Sequence, residues 1–382
     1  MLDAFINARV LAGDAFETAV AVLVEDGRII AVVPDTDPRV RGARTHDLGG
    51  ATLVPGFVDC QVNGGGDMLF NDAPDAATIA RIAMAHRRYG TTALLPTLIS
   101  DTHDKMVRAI EAAERAIADG VPGVIGVHLE GPYLAEARRG VHDAAKLRDA
   151  DDAELAAIRP VRGGTTLVTL APERVTPRAI AALVARGVIV ALGHTAASYE
   201  TVRACLDAGA RGFTHLYNAM PPLSGRDPGP VGAALDDRAS WCGVIADGHH
   251  VHAASLRIAI NAKPRGKVFL VSDAMPPVGG DRDAFTLGDA EVVARDGRLT
   301  TADGTLAGST LEMATAVRYA ANALGVPLAE AARMASTYPA TFLGLEAVYG
   351  RISPGYRADF AVLDGDLRVR ATYVAGARSF DA

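Results

Sequence analysis

Short apolar runs open the chain. Ala19–Val24 and Ile29–Val33 have strand length, and Glu25-Asp26-Gly27-Arg28 between them carries an Asp-Gly hairpin signal. The C-terminal residues repeat that texture: Asp359–Leu363 and Val369–Val374 flank the turn Asp364-Gly365-Asp366. The spacing predicts one small β-sandwich domain assembled from residues 1–51 and 348–382. Between residues 52 and 347 the pattern changes to short apolar strands alternating with segments of helical period. Strand-like runs fall at Leu53–Val62, Ala93–Pro96, Val124–Leu129, Thr166–Leu170, Val188–Leu192, Gly212–His215, Trp241–Ile245 and Val268–Val271. Helical spacing marks Ala76–Arg88, Lys105–Ala118, Thr176–Arg186 and Glu200–Ala208. Repeated strand–helix units with apolar strands imply a parallel sheet covered by helices. Eight such strands predict an α/β fold, a (β/α)8 TIM-type barrel over residues 52–347 with reactive groups at strand C-terminal ends. An open doubly wound sheet is the alternative. It lacks its dinucleotide fingerprint here, because Gly64-Gly65-Gly66 has the wrong spacing and reads as a turn leaving the first strand.

Composition narrows the class. With 382 residues, 49% hydrophobic and 22% charged, the chain is globular rather than disordered or fibrous. A net charge of −7 and the absence of any Lys/Arg block argue against a nucleic-acid surface. Cys60, Cys205 and Cys242 are too few and too scattered for a disulfide framework or a CxxC zinc site. Met1-Leu2-Asp3 opens no basic-then-apolar leader, and no apolar run reaches membrane-spanning length, so the expectation is a soluble cytoplasmic protein.

The chemistry sits where the strands stop. Glu130 closes Gly126-Val127-His128-Leu129-Glu130 and precedes the helix-breaking Gly131-Pro132. His194 closes Val190–His194, His215 closes Gly212–His215, and Asp273 closes Leu270–Asp273. Two histidines and a glutamate on neighbouring strand ends match a His2Glu catalytic zinc set, which leaves one coordination position for water. Asp273, the fourth group at that rim, is placed to take a proton from the water. His46, His86 and His103 fall in loops or on helices and read as solvated. His128 lies two residues before Glu130, on the same side of the strand, where it packs the barrel or supports a ligand from behind.

The first barrel strand, Pro55-Gly56-Phe57-Val58-Asp59-Cys60-Gln61-Val62-Asn63-Gly64, resembles the first-strand signature of the amidohydrolase superfamily, in which two histidines follow the aspartate. Gln61 and Asn63 stand at those two positions, and Cys60 points the other way as a buried structural thiol. Neutral amides are poor ligands, and no lysine ends the fourth strand to bridge a metal pair, so one divalent ion per subunit is expected. Gln61 and Asn63 then hold a water or orient the one at the metal.

Further motifs sharpen the resemblance. His128-Leu129-Glu130-Gly131-Pro132, Leu192-Gly193-His194, Thr214-His215-Leu216-Tyr217-Asn218-Ala219-Met220, Ile245-Ala246-Asp247-Gly248 and Ser272-Asp273-Ala274 occur in the order found in the N-acetylglucosamine-6-phosphate deacetylase family. That resemblance covers essentially the whole chain. It implies that Glu130, His194 and His215 bind the metal, zinc or alternatively iron, and that Asp273 is the catalytic acid/base. It gives substrate-binding positions to Val141, His142, Asn218, Ala219, Arg226, His250, Leu306, Ala307 and Gly308, with His142 donating to the carbonyl oxygen. Arg226 and His250 are the implied phosphate contacts, near the interface of a homodimer. The implied reaction is hydrolytic deacetylation of N-acetyl-D-glucosamine 6-phosphate by a single metal-activated water. The galactosamine epimer and cyclic amides are the competing substrates, and a catalytically dead scaffold is the competing class.

Overall fold

The computed structural model describes residues 1–382. Its largest sheet has eight parallel strands, β1 (Phe57–Val62), β2 (Thr91–Ile99), β3 (Gly126–Glu130), β4 (Thr165–Leu170), β5 (Ile189–Leu192), β6 (Gly212–Phe213), β7 (Trp241–Val244) and β8 (Val268–Leu270). Each pairs with its sequence neighbour. Closure runs through the segment after β8: the Asp273 N–H donates to the Gln61 carbonyl at 3.0 Å, and Val62 bridges Ala274 in parallel. The strands are apolar because both faces are buried, and 77 buried residues form one continuous core between strands and outer helices.

The helices begin where small polar residues cap them. Asp75, Thr102, Thr176 and Ser198 each accept the third backbone N–H beyond them, opening Ala76–Arg87, His103–Ala118, Pro177–Ala185 and Tyr199–Asp207. These helices lie within a residue or two of the spans that periodicity predicts.

Both termini build the second, β-rich part. One sheet runs Arg28–Pro34, Val20–Glu25, Asp3–Ile6, Arg44–Asp47. The other runs Ala377–Asp381, Val369–Val374, Phe360–Leu363, Thr52–Pro55, Arg9–Ala12, Ala15–Glu17. A separate core of 15 buried residues, including Phe5, Leu53, Phe360 and Tyr373, lies in this part. The run Leu53–Val62 is thus two strands: Thr52–Pro55 belongs to the terminal sheet, and Phe57–Val62 opens the barrel.

Two features depart from the sequence reading. After β8 the alternation stops, and Ala284–Leu287, Ala290–Arg295, Arg298–Thr300 and Leu306–Ser309 form an antiparallel four-stranded sheet. Its last strand is hydrogen-bonded to the closing segment, with the Ser309 N–H donating to the Asp273 carbonyl at 2.9 Å. His86, expected to be solvated, is fully buried: its Nε2 lies 2.9 Å from the Gly64 carbonyl, and burial holds its pKa down at about 4. The Gly64-Gly65 pair turns back in a short hairpin with Met68-Leu69, and His86 braces it.

Candidate active site

Glu130 is the last residue of β3, and His194 and His215 each lie two residues past β5 and β6. All three are buried. His194, His215 and Asp273 have φ of 49°, 30° and 53°, a left-handed backbone that non-glycine residues adopt at a cost of about 1–3 kcal/mol each. The kink turns each side chain off its strand and into the mouth of the barrel. His194 Nε2 and His215 Nε2 lie 3.2 and 3.0 Å from Glu130 Oε1, and 3.0 Å from each other.

These three atoms form a nearly equilateral triangle. Ligands about 2.0–2.2 Å from a tetrahedral zinc lie roughly 3.3 Å apart, so the triangle fits one face of such a site. The donor set agrees, since two imidazole nitrogens and a carboxylate oxygen bring three lone pairs together. The second nitrogen of His194 is held from behind, Nδ1 lying 2.8 Å from the Arg138 carbonyl. Burial alone would raise the Glu130 pKa, but the hydrogen bonds and charges of His194 and His215 hold it well below the usual carboxylate range.

Asp273 is tied to this cluster by amides. Gln61 Nε2 donates to Glu130 Oε1 at 3.0 Å and to Asp273 Oδ1 at 3.1 Å, and Asn63 Nδ2 donates to Asp273 Oδ1 at 2.7 Å. The two amides on the first strand therefore support the carboxylates. Asn63 Oδ1 is buried without a hydrogen-bond partner. Burial, and then the negative charge of Glu130, raise the Asp273 pKa. His142 Nδ1 lies 2.7 Å from Ser100 Oγ, and its ring packs edge-on against His194 at 4.6 Å between centroids. Burial drives the His142 pKa down to about 3, so the ring is neutral at pH 7. His250 Nδ1 meets Asp247 Oδ2 at 2.6 Å.

A cavity of about 490 Å³ opens over these groups. Of the residues singled out from sequence, Asn63, Val141, His142, Asn218, Ala219, His250, Leu306 and Gly308 line it together with Glu130, His194, His215 and Asp273. Gln61 sits behind the wall, and Ala307 is buried in a small apolar cluster with Met275 and Leu299. Arg226 is exposed on the loop before helix Gly229–Asp236 and lies outside the cavity lining. His128 is a barrel-interior residue, its Nε2 2.7 Å from Thr169 Oγ1 and its Nδ1 3.3 Å from Thr97 Oγ1.

Arg138 is the cavity-lining cation that sequence reasoning passed over, and its Nε is buried without a partner. The signal was present in the basic pair Arg138-Arg139 just before Gly140-Val141-His142. A larger cavity of about 580 Å³ opens at the opposite, N-terminal ends of β5, β6 and β7 around Arg211 and Trp241. It holds none of Glu130, His194 and His215, and barrel chemistry belongs at the C-terminal face.

The chain matches the amidohydrolase family over residues 52–381. It is 44% identical over 377 residues to the N-acetylgalactosamine-6-phosphate deacetylase of Shewanella sp. (strain ANA-3), covering 98% of this chain and 95% of that relative. To the N-acetylglucosamine-6-phosphate deacetylase of Homo sapiens it is 39% identical over 399 residues, covering 97% and 94%. The solved N-acetylglucosamine-6-phosphate deacetylase from Pasteurella multocida superposes with a TM-score of 0.95 at 33% identity over 99% of each chain. An aspartate-to-alanine mutant of the Mycobacterium smegmatis deacetylase, in complex with N-acetyl-D-glucosamine-6-phosphate, gives 0.90 at 36% identity, again over 99% of each chain.

Proposed function

The chain belongs to the amidohydrolase family, and on that premise we propose that it hydrolyses N-acetyl-D-glucosamine 6-phosphate to D-glucosamine 6-phosphate and acetate. One observation carries the reading: a buried His2Glu triangle shares an amide donor with a half-buried aspartate that lines a cavity of sugar-phosphate size. Glu130, His194 and His215 hold one divalent ion per subunit, and their chemistry suits zinc ahead of iron. When bound, such an ion supplies Lewis acidity and makes water nucleophilic near neutral pH. Asp273 accepts the proton of the attacking water and delivers it to the departing amine nitrogen. His142 donates a hydrogen bond to the acetamide oxygen as negative charge develops on it.

Val141, Asn218, Ala219, Leu306 and Gly308 enclose the sugar, and His250 receives the phosphate. Arg226 reaches the phosphate of the neighbouring subunit's substrate, which makes the working unit a homodimer. Its exposure outside its own cavity supports that assignment. A charged sugar phosphate is retained within the cytoplasm, the expected location of the enzyme. No helix is long and apolar enough to cross a membrane.

The galactosamine epimer is a second reading, favoured by the 44% identity to a deacetylase of that sugar. Metal analysis of purified protein, followed by acetate release from both 6-phosphorylated N-acetylhexosamines, decides between them. A higher kcat/KM on the gluco epimer is the expected result. A higher value on the galacto epimer establishes the second reading, and no acetate from either ends both.

A further inference from the structure

Ser100 immediately follows β2, and two of its groups converge on one nitrogen of His142. Its backbone N–H donates to Nδ1 at 3.3 Å, and its Oγ lies 2.7 Å from the same atom. A backbone amide can only donate, so Nδ1 is an acceptor and carries no proton, and the hydroxyl at 2.7 Å donates to it as well. A neutral imidazole with an accepting Nδ1 carries its single N–H on Nε2. That nitrogen makes no hydrogen bond within the chain, and His142 lines the cavity with the metal-ligating residues. We infer that Ser100 is a positioning residue for the hydrolysis: it fixes the His142 proton on Nε2, so the ring faces the substrate as a neutral donor and cannot act as a base.

The backbone around Ser100 is built for this contact. A Cβ on Gly131 would stand 2.3 Å from Ser100 Oγ, and Gly131 has φ of +86°. Only glycine lets the chain after Glu130 pass that close to the hydroxyl while keeping this conformation. One strand end thus carries a metal-ligating carboxylate and, one residue later, the glycine that leaves room for the tautomer lock. The division of labour follows directly. With Nδ1 occupied and Nε2 protonated, His142 has no lone pair for the proton of water, which leaves Asp273 to accept it.

This inference rests on the proposed amide hydrolysis, and its test separates the two. In zinc-loaded protein carrying 15N-histidine, long-range 1H–15N spectra report which nitrogen bears the proton. The His142 signals are assigned by their loss in His142→Gln. The expected pattern is Nδ1 bare and Nε2 protonated, and the opposite tautomer overturns the inference whether or not any acetate is released. In turnover, Ser100→Ala is expected to lower kcat about 10–100-fold with KM within about threefold of wild type, and Ser100→Thr, which keeps the hydroxyl, to recover most of the loss. Metal content and Tm should stay at wild-type values. A Ser100→Ala enzyme with unchanged kcat, or one that loses kcat only in proportion to lost metal, overturns the positioning role. Should Ser100→Ala fail to fold, the wild-type spectrum still decides the tautomer. A wild-type enzyme inactive on both sugars ends the substrate reading instead.

Discussion

Glu130, buried, and Asp273, half-buried, are two carboxylates joined by a single amide nitrogen, that of Gln61, yet their surroundings differ. Glu130 is held ionised by two imidazoles. Asp273 has its proton affinity raised by burial and by Glu130, the direction that suits the proposed role of taking a proton and giving it back. Asp273→Asn keeps size and hydrogen-bonding reach while removing the proposed base. The expected outcome is full metal content with kcat lower by about 10²–10⁴-fold, checked by elemental analysis and acetate release on the same preparation. A variant keeping a third of wild-type turnover would remove Asp273 from the mechanism. The metal count is also a residue-scale matter, because the first strand offers amides and both are engaged by carboxylates. Elemental analysis after gentle purification is expected to find one tightly held divalent ion per subunit; two stoichiometric ions would contradict it.

The elements set how tightly these groups are held. Strand Leu306–Ser309 presses the antiparallel sheet against Asp273, and a Cβ on Gly308 would meet Met275 Cγ at 2.7 Å and the Asp273 carbonyl at 2.9 Å. Gly308→Ala is therefore expected to push this strand off the closing segment, lowering kcat/KM at least tenfold while metal content holds, since a displaced positioning element costs rate before it costs fold. Helix His103–Ala118 offers a stability prediction remote from the site. Its Glu114 is buried, pairs with Arg159 and Arg162, and accepts the Arg162 backbone N–H at 3.0 Å. The Arg159 hydrogen bond leads in holding its pKa near 2, against 4.5 for an ordinary glutamate. The folded value is depressed, so this stabilisation is complete above about pH 4.5 and is lost as pH falls toward 2. Glu114→Gln should cost about 1–2 kcal/mol at pH 7, allowing for exposure of both arginines, and the two stability curves should converge near pH 2 in urea titrations. The barrel itself was legible because buried parallel strands leave uninterrupted apolar runs, and its polar residues stand out at their ends. The inserted sheet was not legible: Ala290–Arg295 and Arg298–Thr300 are short, half-exposed and charged, so no period-2 face marks them. His86 misled for a related reason, since its burial depends on the Gly64 carbonyl, a partner no side-chain pattern announces. Arg138 hid in the pair Arg138-Arg139, where a solvated reading is the ordinary one.

At the scale of the whole molecule, a sugar phosphate needs cationic or hydrogen-bond-donating groups to receive its phosphate. Within one chain the cavity offers His250, paired with Asp247, and Arg138, whose Nε has no hydrogen-bond partner. Arg226 is exposed on a Gly/Pro-rich loop outside that cavity, so it serves the phosphate only if a second subunit brings it there. A remote anion held this way supplies binding energy that orients the reacting carbonyl. Arg226→Ala should then lower kcat/KM strongly for the phosphorylated sugar and hardly at all for free N-acetylglucosamine. The gap between the two substrates should narrow by roughly 1.5–3 kcal/mol, the worth of a hydrogen bond to a charged group. Equal losses on both substrates would make Arg226 a support of the fold. A shared site has a sharper consequence. Arg226→Ala and Asp273→Asn subunits are each expected to be strongly impaired alone on the phosphorylated sugar, but in a shared site a mixed dimer would place the intact Arg226 of one chain over the intact Asp273 of the other. Co-refolding the two variants should therefore restore part of the wild-type activity, with heterodimers quantified by differently tagged chains. Heterodimers that form without any recovery would put the whole phosphate site inside one chain and leave Arg138 as its guanidinium.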